Sequence, residues 1–258
     1  MIKDDKQKAR EKLDKERGHL VVKRNDFVQK SRHQLSLQEQ KIVLFLISKI
    51  KPDDMNFTEQ VFSIAEFCRY CGMGETSGKN YSDIKDSIGK LLSRFVWVMR
   101  DDGSETSLRW IDKATMNKRS GLIRLKLDED LRPYLLLLTE HYTLFEMRYT
   151  LAMKSRYSIR LYELLKSYAH KENVVFEMDE LKRLLDAENY KLNGHFKQKV
   201  LDIAMRDINE YTDMSVEYSF QKTGRQFSHV RFCISRKEAI DRFVVGTKIN
   251  QKLDGEIE

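Results

Sequence analysis

Val174-Val175-Phe176-Glu177-Met178 leads into a helical pattern over Asp179 to Asp186, a loop holding Gly194, a second helix over Phe196 to Glu210, and a ribbon that turns at Thr223-Gly224-Arg225. Small strand, helix, helix and β-ribbon is the order of a winged helix, a form of the helix-turn-helix DNA reader. The same order stands earlier in the chain. Val61-Phe62-Ser63-Ile64 precedes a short helix over Ala65 to Cys71, a glycine-broken loop, an amphipathic helix over Tyr81 to Ser93, and a ribbon around Asp101-Asp102-Gly103. The fold class expected is therefore α+β, two tandem winged-helix domains related by pseudo-symmetry.

The flanks of these repeats set the domain organisation. Residues 1–18, alternating Lys, Arg, Asp and Glu, read as a charged flexible arm. The first domain is expected over 19–135, the second over 136–245, and a polar, frayed tail over 246–258. Ser36 with Glu39 has the spacing of a capping box, and the helix it opens carries Ile42, Val43, Leu46, Ile47 and Ile50 before Pro52. Leu122-Ile123-Arg124-Leu125-Lys126-Leu127 alternates and predicts a further strand. Pro133 suits a helix start, and the connection between the halves lacks a Gly/Ser run, so the domains are expected to be docked.

Composition narrows the partners. The chain has 258 residues, 41% of them hydrophobic and 34% charged, with a formal net charge of +7. That balance favours a polyanion as partner, through counterion release. The longest apolar run, Ile42 to Ile47, is far short of a membrane helix, so no membrane is expected. The charged start lacks the apolar core of a secretion signal, and three cysteines read as reduced thiols in a cytoplasm.

Motifs for chemistry fail on spacing. The glycines of Gly72 to Asn80 invite a phosphate-loop reading, but Gly72 and Gly78 enclose five residues, Gly74 and Gly78 three, and Asn80 stands where Ser or Thr would hold magnesium. The stretch reads as a turn leading into a helix. Cys68-Arg69-Tyr70-Cys71 lacks a second ligand pair, and Ile64, Phe67, Cys68 and Cys71 share a helical face, so two buried thiols are expected rather than a metal site. Six scattered histidines and no nucleophile–base spacing predict a protein that is not an enzyme, with no metal and no cofactor.

The candidate site is basic. Lys199 and Arg206 fall on the outward face of the helix over 196–210, with Lys197 beside them, where Arg or Lys can hydrogen-bond guanine. Asp202 and Asp207 repel phosphate, although Asp202 suits the amino group of cytosine. Lys222 and Arg225 sit on the wing. Lys154, Arg156 and Arg160 cluster at a helix start, a geometry that suits phosphate. In the first half Lys79, Lys85, Lys90, Arg94, Lys118 and Arg119 take the parallel part.

Three blocks carry a family resemblance. Val21-Val22-Lys23-Arg24-Asn25 with Leu35 to Ile42, Lys154-Ser155-Arg156-Tyr157-Ser158-Ile159-Arg160-Leu161-Tyr162-Glu163-Leu164-Leu165, and Phe196 through Asn209 are similar to the iteron-type plasmid replication initiators. The resemblance covers roughly residues 20 to 235, and its most specific part is Arg156 to Glu163. It implies binding of double-stranded iteron repeats at an origin, with the second domain reading bases. It implies help in opening an adjacent AT-rich region, recruitment of the host initiator and replicative helicase, and a monomer–dimer equilibrium through the first domain that can repress the protein's own gene. It implies a plasmid-encoded protein of the bacterial cytoplasm, in which Lys154, Arg156 and Arg160 hold phosphates. A winged-helix repressor without initiation activity and a protein-docking module are the alternative readings, with a nicking enzyme the weakest.

Overall fold

The computed structural model describes residues 2–73, 78–117, 120–224 and 226–255. The chain runs α1 (Ile2–Arg17), β1 (Leu20–Arg24), α2 (Asn25–Lys30), β2 (Ser31–His33), α3 (Leu37–Ile47), β3 (Gln60–Ser63), α4 (Ile64–Tyr70), α5 (Gly78–Leu91), β4 (Phe95–Met99), β5 (Glu105–Arg109), β6 (Ile111–Met116) and β7 (Leu122–Leu127). It continues with α6 (Arg132–Leu135), β8 (Tyr142–Glu146), α7 (Arg148–Leu151), α8 (Arg156–Ser167), β9 (Asn173–Glu177), α9 (Met178–Leu184), α10 (Asn193–Phe196), a π-helical turn (Lys197–Leu201), α11 (Asp202–Tyr211), β10 (Met214–Thr223), β11 (Gln226–Arg236) and α12 (Ala239–Gly255). Among these none is long and apolar enough to cross a membrane.

Both repeats form. In the second, β9 pairs antiparallel with β11, which pairs with β10, and the sheet backs onto α9 and α11. In the first, β3 pairs antiparallel with β7 and β7 with β6. That topology corrects the expected first wing. The ribbon equivalent to β10–β11 is β6–β7, turning between Asn117 and Gly121, and not the hairpin at Asp101-Asp102-Gly103. The latter, β4–β5, is an insertion that joins β2 in a separate sheet. Asp-Gly chemistry marks a tight hairpin but says nothing about which strand the hairpin joins.

The local signals hold where they are short-range. Ser36 Oγ accepts from the Glu39 N–H at 3.2 Å while the Glu39 carboxylate accepts from the Ser36 N–H at 2.7 Å, so the predicted capping box opens α3. An unforeseen twin, Ser63 with Glu66, opens α4.

Neither end of the chain is loose where it is described. The Arg17 side chain is fully buried; it donates to the Arg69 and Tyr70 carbonyls, each at 3.0 Å, and to Asp254 at 2.9 Å. The tail folds as α12, whose Val245, Ile249 and Leu253 are buried at helical spacing. Gly72 receives it: with φ +65°, a Cβ there would lie 2.7 Å from the Leu253 Cα, so only glycine fits both the backbone and the approach. The expected arm and tail therefore close on each other, because each carries a few apolar or fork-shaped side chains that a composition reading averages away. The segment after 135 is also tied to the first unit, since β8 pairs with β1 from Leu20↔Glu146 to Arg24↔Tyr142.

The thiols of Cys68 and Cys71 are buried, and burial raises both, pushing Cys71 up to about 12; Cys233 is exposed. A thiolate-selective reagent at neutral pH should label the native chain at Cys233 alone and reach the other two only after denaturation. Rapid native labelling of Cys71 would contradict the burial.

Candidate nucleic-acid interface

The π-helical turn, α11 and the wing each carry exposed cations: Lys197 and Lys199, Arg206, and Lys222. Phe196, Val200, Leu201, Ala204, Met205 and Ile208 bury one face of the helix. Lys197, Gln198, Lys199 and Arg206 are left on the solvent side, the Arg206 side chain 68% exposed. Lys191 and His195, exposed on the approach to this helix, were not singled out by the sequence, because they stand outside its periodic pattern.

The π turn changes what this face contains. Lys197 and Asp202 are five residues apart, a spacing that does not make neighbours on an α-helix. The wider turn brings them together: the Lys197 ammonium donates to both Asp202 oxygens, at 3.0 and 2.8 Å. The Tyr218 hydroxyl on β10 donates to the same carboxylate at 2.6 Å. Lys197, then Tyr218, hold the Asp202 carboxyl below its usual range, while burial and that hydrogen bond push the Tyr218 phenol up to about 12. Asp202 is thus a compensated anion that ties the recognition helix to the wing. Asn209 makes a second tie, accepting from the Val216 N–H at 2.7 Å and donating to its carbonyl at 2.9 Å. Its side chain is therefore occupied by the wing.

The wing is stiffened by rings. Phe220 lies 5.6 Å from Tyr218 and 5.1 Å from Phe227, and the Lys222 ammonium sits 4.9 Å over the Phe227 ring. Lys222 is exposed at the wing tip, beside Gly224 at φ +63°. Arg225, Lys118 and Arg119, like Gly74 to Ser77 of the glycine loop, lie outside the described residues, and so does the side chain of Lys79.

The block Lys154 to Glu163 needs correcting most. Arg160 is not a phosphate ligand: it is 3% exposed and its guanidinium donates to the carbonyls of Val28 (2.8 Å), Ser31 (2.6 Å) and Leu184 (3.2 Å). Other polar side chains of the helix are also engaged within the protein. Arg156 donates to the Asp186 carboxylate at 2.8 Å and to its carbonyl at 3.1 Å, Ser158 to Asp207 at 2.7 Å, Tyr162 to Asp213 at 2.9 Å, and Glu163 accepts from Lys23 at 2.5 Å. Arg156 is half-buried, stacked 4.7 Å over Tyr157 and committed to Asp186, so a phosphate there has to compete with a carboxylate already in place. Lys154 is exposed. The block is core rather than surface: α8 is packed against α2, α3, β8 and α11.

In the first unit Lys90 is exposed at the end of α5 and Lys85 is half-buried. Arg94 leans on the buried capping carboxylate of Glu39 at 3.6 Å. No group of three or more His, Cys, Asp or Glu that could hold a metal occurs among the described residues.

Family models match both units: "Initiator Replication protein, WH1" over residues 20–166 and "Initiator Rep protein, WH2" over 177–234. The chain belongs to the replication initiator Rep family. A replication initiation protein of Escherichia coli is 25% identical over 250 residues, spanning 93% of this chain and 77% of its own length. An uncharacterized 27.6 kDa protein of Escherichia coli is 26% identical over 147 residues, 55% of this chain and 62% of its own. The crystal structure of Pi initiator protein in complex with iteron DNA matches with a TM-score of 0.70 at 20% identity, over 86% of this chain and 99% of that one, a likeness of fold. The first family model runs past the boundary expected at 135, in keeping with the β1–β8 pairing.

Proposed function

We propose that this initiator binds repeated duplex sites at a plasmid origin in the bacterial cytoplasm, acting by binding and not by catalysis. The recognition helix of the second unit enters a major groove, and the wing and the first unit take backbone contacts. The observation that carries this reading is the recognition face itself. Lys199 and Arg206 are seven residues apart, exposed, and held against the wing through Asp202–Tyr218 and Asn209–Val216. A rigid cationic helix edged by a ribbon is the geometry that reads base edges while phosphate contacts fix register. The likeness to a Pi initiator solved with iteron DNA supports the duplex as ligand. Opening of an AT-rich region, recruitment of host initiator and helicase, and self-association belong to the same proposal.

The test is selection of bound duplexes from a random pool, then titration of the winner across a salt series. Two units on successive major grooves of one DNA face should recover a motif of about two helical turns, roughly 20 base pairs. Its affinity should fall steeply with salt as counterions are released. No enrichment would overturn the reading and leave the winged helices as docking modules.

A further inference from the structure

Strand β4 turns two large aromatic side chains to solvent. Val96 and Val98 are buried, while Phe95 is 41% and Trp97 40% exposed. Both lie on one face, two residues and so about 6.6 Å apart along the strand. The register surrounds them with arginine. Arg109 of β5 stands opposite Phe95, and Arg32 of β2 stands opposite Trp97 with its guanidinium 5.7 Å over the indole. Phe95, Trp97, Arg32 and Arg94 line a cleft of about 200 Å³ that reaches Asp186 at the end of α9. Glu105 is engaged by Arg32 at 2.9 Å and Asp186 by Arg156 at 2.8 Å, so a phosphate drawn to Arg32 has to compete with Glu105. Burial, and then the charges of Arg160, Lys23 and Arg156, hold His33, another lining residue, below its ordinary range.

We propose that the Phe95–Trp97 face of β4, flanked by Arg32, Arg94 and Arg109, is a stacking platform for single-stranded nucleic acid. Aromatic faces at strand spacing between arginines offer stacking to successive unpaired bases and charge to the phosphates between them. Duplex bases are already stacked and present only their edges, so this face does not suit the ligand of the recognition helix. A protein partner is the poorer fit, because arginines break the apolar surface on both sides. The platform lies on the hairpin inserted between recognition-like helix and wing of the first unit, away from α11. It therefore does not depend on the duplex reading, though an initiator that opens DNA has a use for both.

The chain's tryptophans make the experiment direct. There are two, and Trp110 is 1% exposed, so quenching by an added oligonucleotide reports Trp97. The full-length protein is titrated with a thymidine oligomer of about 15 nucleotides, several times the smallest site of a single-strand binding fold. The expected result is quenching of the wild type. Phe95→Ala and Trp97→Ala should each weaken binding, measured by anisotropy of the labelled oligomer, roughly tenfold, the size of one base–aromatic stack. Trp97→Phe should restore most of the affinity. Affinity for the selected duplex should stay unchanged in all three, which also shows that they fold. Absence of quenching, or equal oligomer affinity in Trp97→Ala, overturns the proposal. So does a Trp97→Ala chain that sediments as a smaller species with unaltered oligomer affinity, which assigns the face to a second copy of the chain. Failure of the duplex selection leaves the thymidine titration standing as an independent result.

Discussion

Arg160→Ala should destabilise the fold by about 3–5 kcal/mol while leaving the salt dependence of DNA binding as it is. The guanidinium is 3% exposed and saturates three carbonyls: Val28 and Ser31 flanking the end of α2, and Leu184 at the end of α9. Those carbonyls stand at the C-terminal ends of α2 and α9, where the last turn has no helical partner left and the partial negative charge suits a cation. Arg160 Nη1 also stands 3.9 Å from the Glu163 carboxylate, which is bonded to Lys23 at 2.5 Å, all three side chains being buried. Alanine removes one cation from this set. It leaves the carbonyls unpaired and the remaining Lys23–Glu163 pair without a neighbour, and uncompensated buried polar groups cost more than the lost bonds were worth. Burial already pulls both Lys23 and Arg160 below their ordinary ranges, so neither is a comfortable charge without its partners. Denaturant unfolding of wild type and variant measures the loss through the shift of midpoint at constant slope. A near-neutral midpoint, with weakened DNA binding and a shallower salt slope, would instead restore Arg160 to the phosphate surface.

This arginine also marks where sequence stops being informative. Capping boxes, strand alternation and the repeat itself depend on residues within a turn or two of one another, and those features are in place at Ser36, at Leu122–Leu127 and in the order β9–α9–α11–β10–β11. The direction of Arg160 depends on carbonyls 24 to 132 residues away, which no local pattern encodes. The same holds for the wing of the first unit: the Asp-Gly turn is local, whereas the choice of β7 over β5 as partner of β3 is not. Within the candidate site the outward placement of Lys199 and Arg206 was legible from helical periodicity. The Lys197–Asp202 pair was not, because it exists only where the helix widens to a π turn, and the same sequence on an ideal α-helix would hold them apart.

Lys199→Ala and Arg206→Ala are each expected to weaken binding to the selected duplex by about 1–3 kcal/mol and to relax base preference at separate positions. Both side chains are exposed, so their loss should leave folding intact. Seven residues apart on a helix, they are about 10 Å distant along the axis, so the losses should add. The double variant should then bind its site between about 30-fold and about 20,000-fold more weakly, at about 1.4 kcal/mol per decade. Random duplex should lose far less, because there only the charge matters and each lysine or arginine is one of several phosphate partners. The neighbouring carboxylate sharpens the comparison. Asp202 is tied to Lys197 and Tyr218, so it neither neutralises Lys199 nor Arg206 nor stands as a free anion against the groove. The measurement is a pair of titrations per variant, selected against random duplex at one salt concentration, followed by reselection from the random pool. Equal losses on both duplexes would mean these side chains hold phosphate only, and the bases would then have to be read from elsewhere on the face, with Gln198 the exposed polar side chain between Lys197 and Lys199.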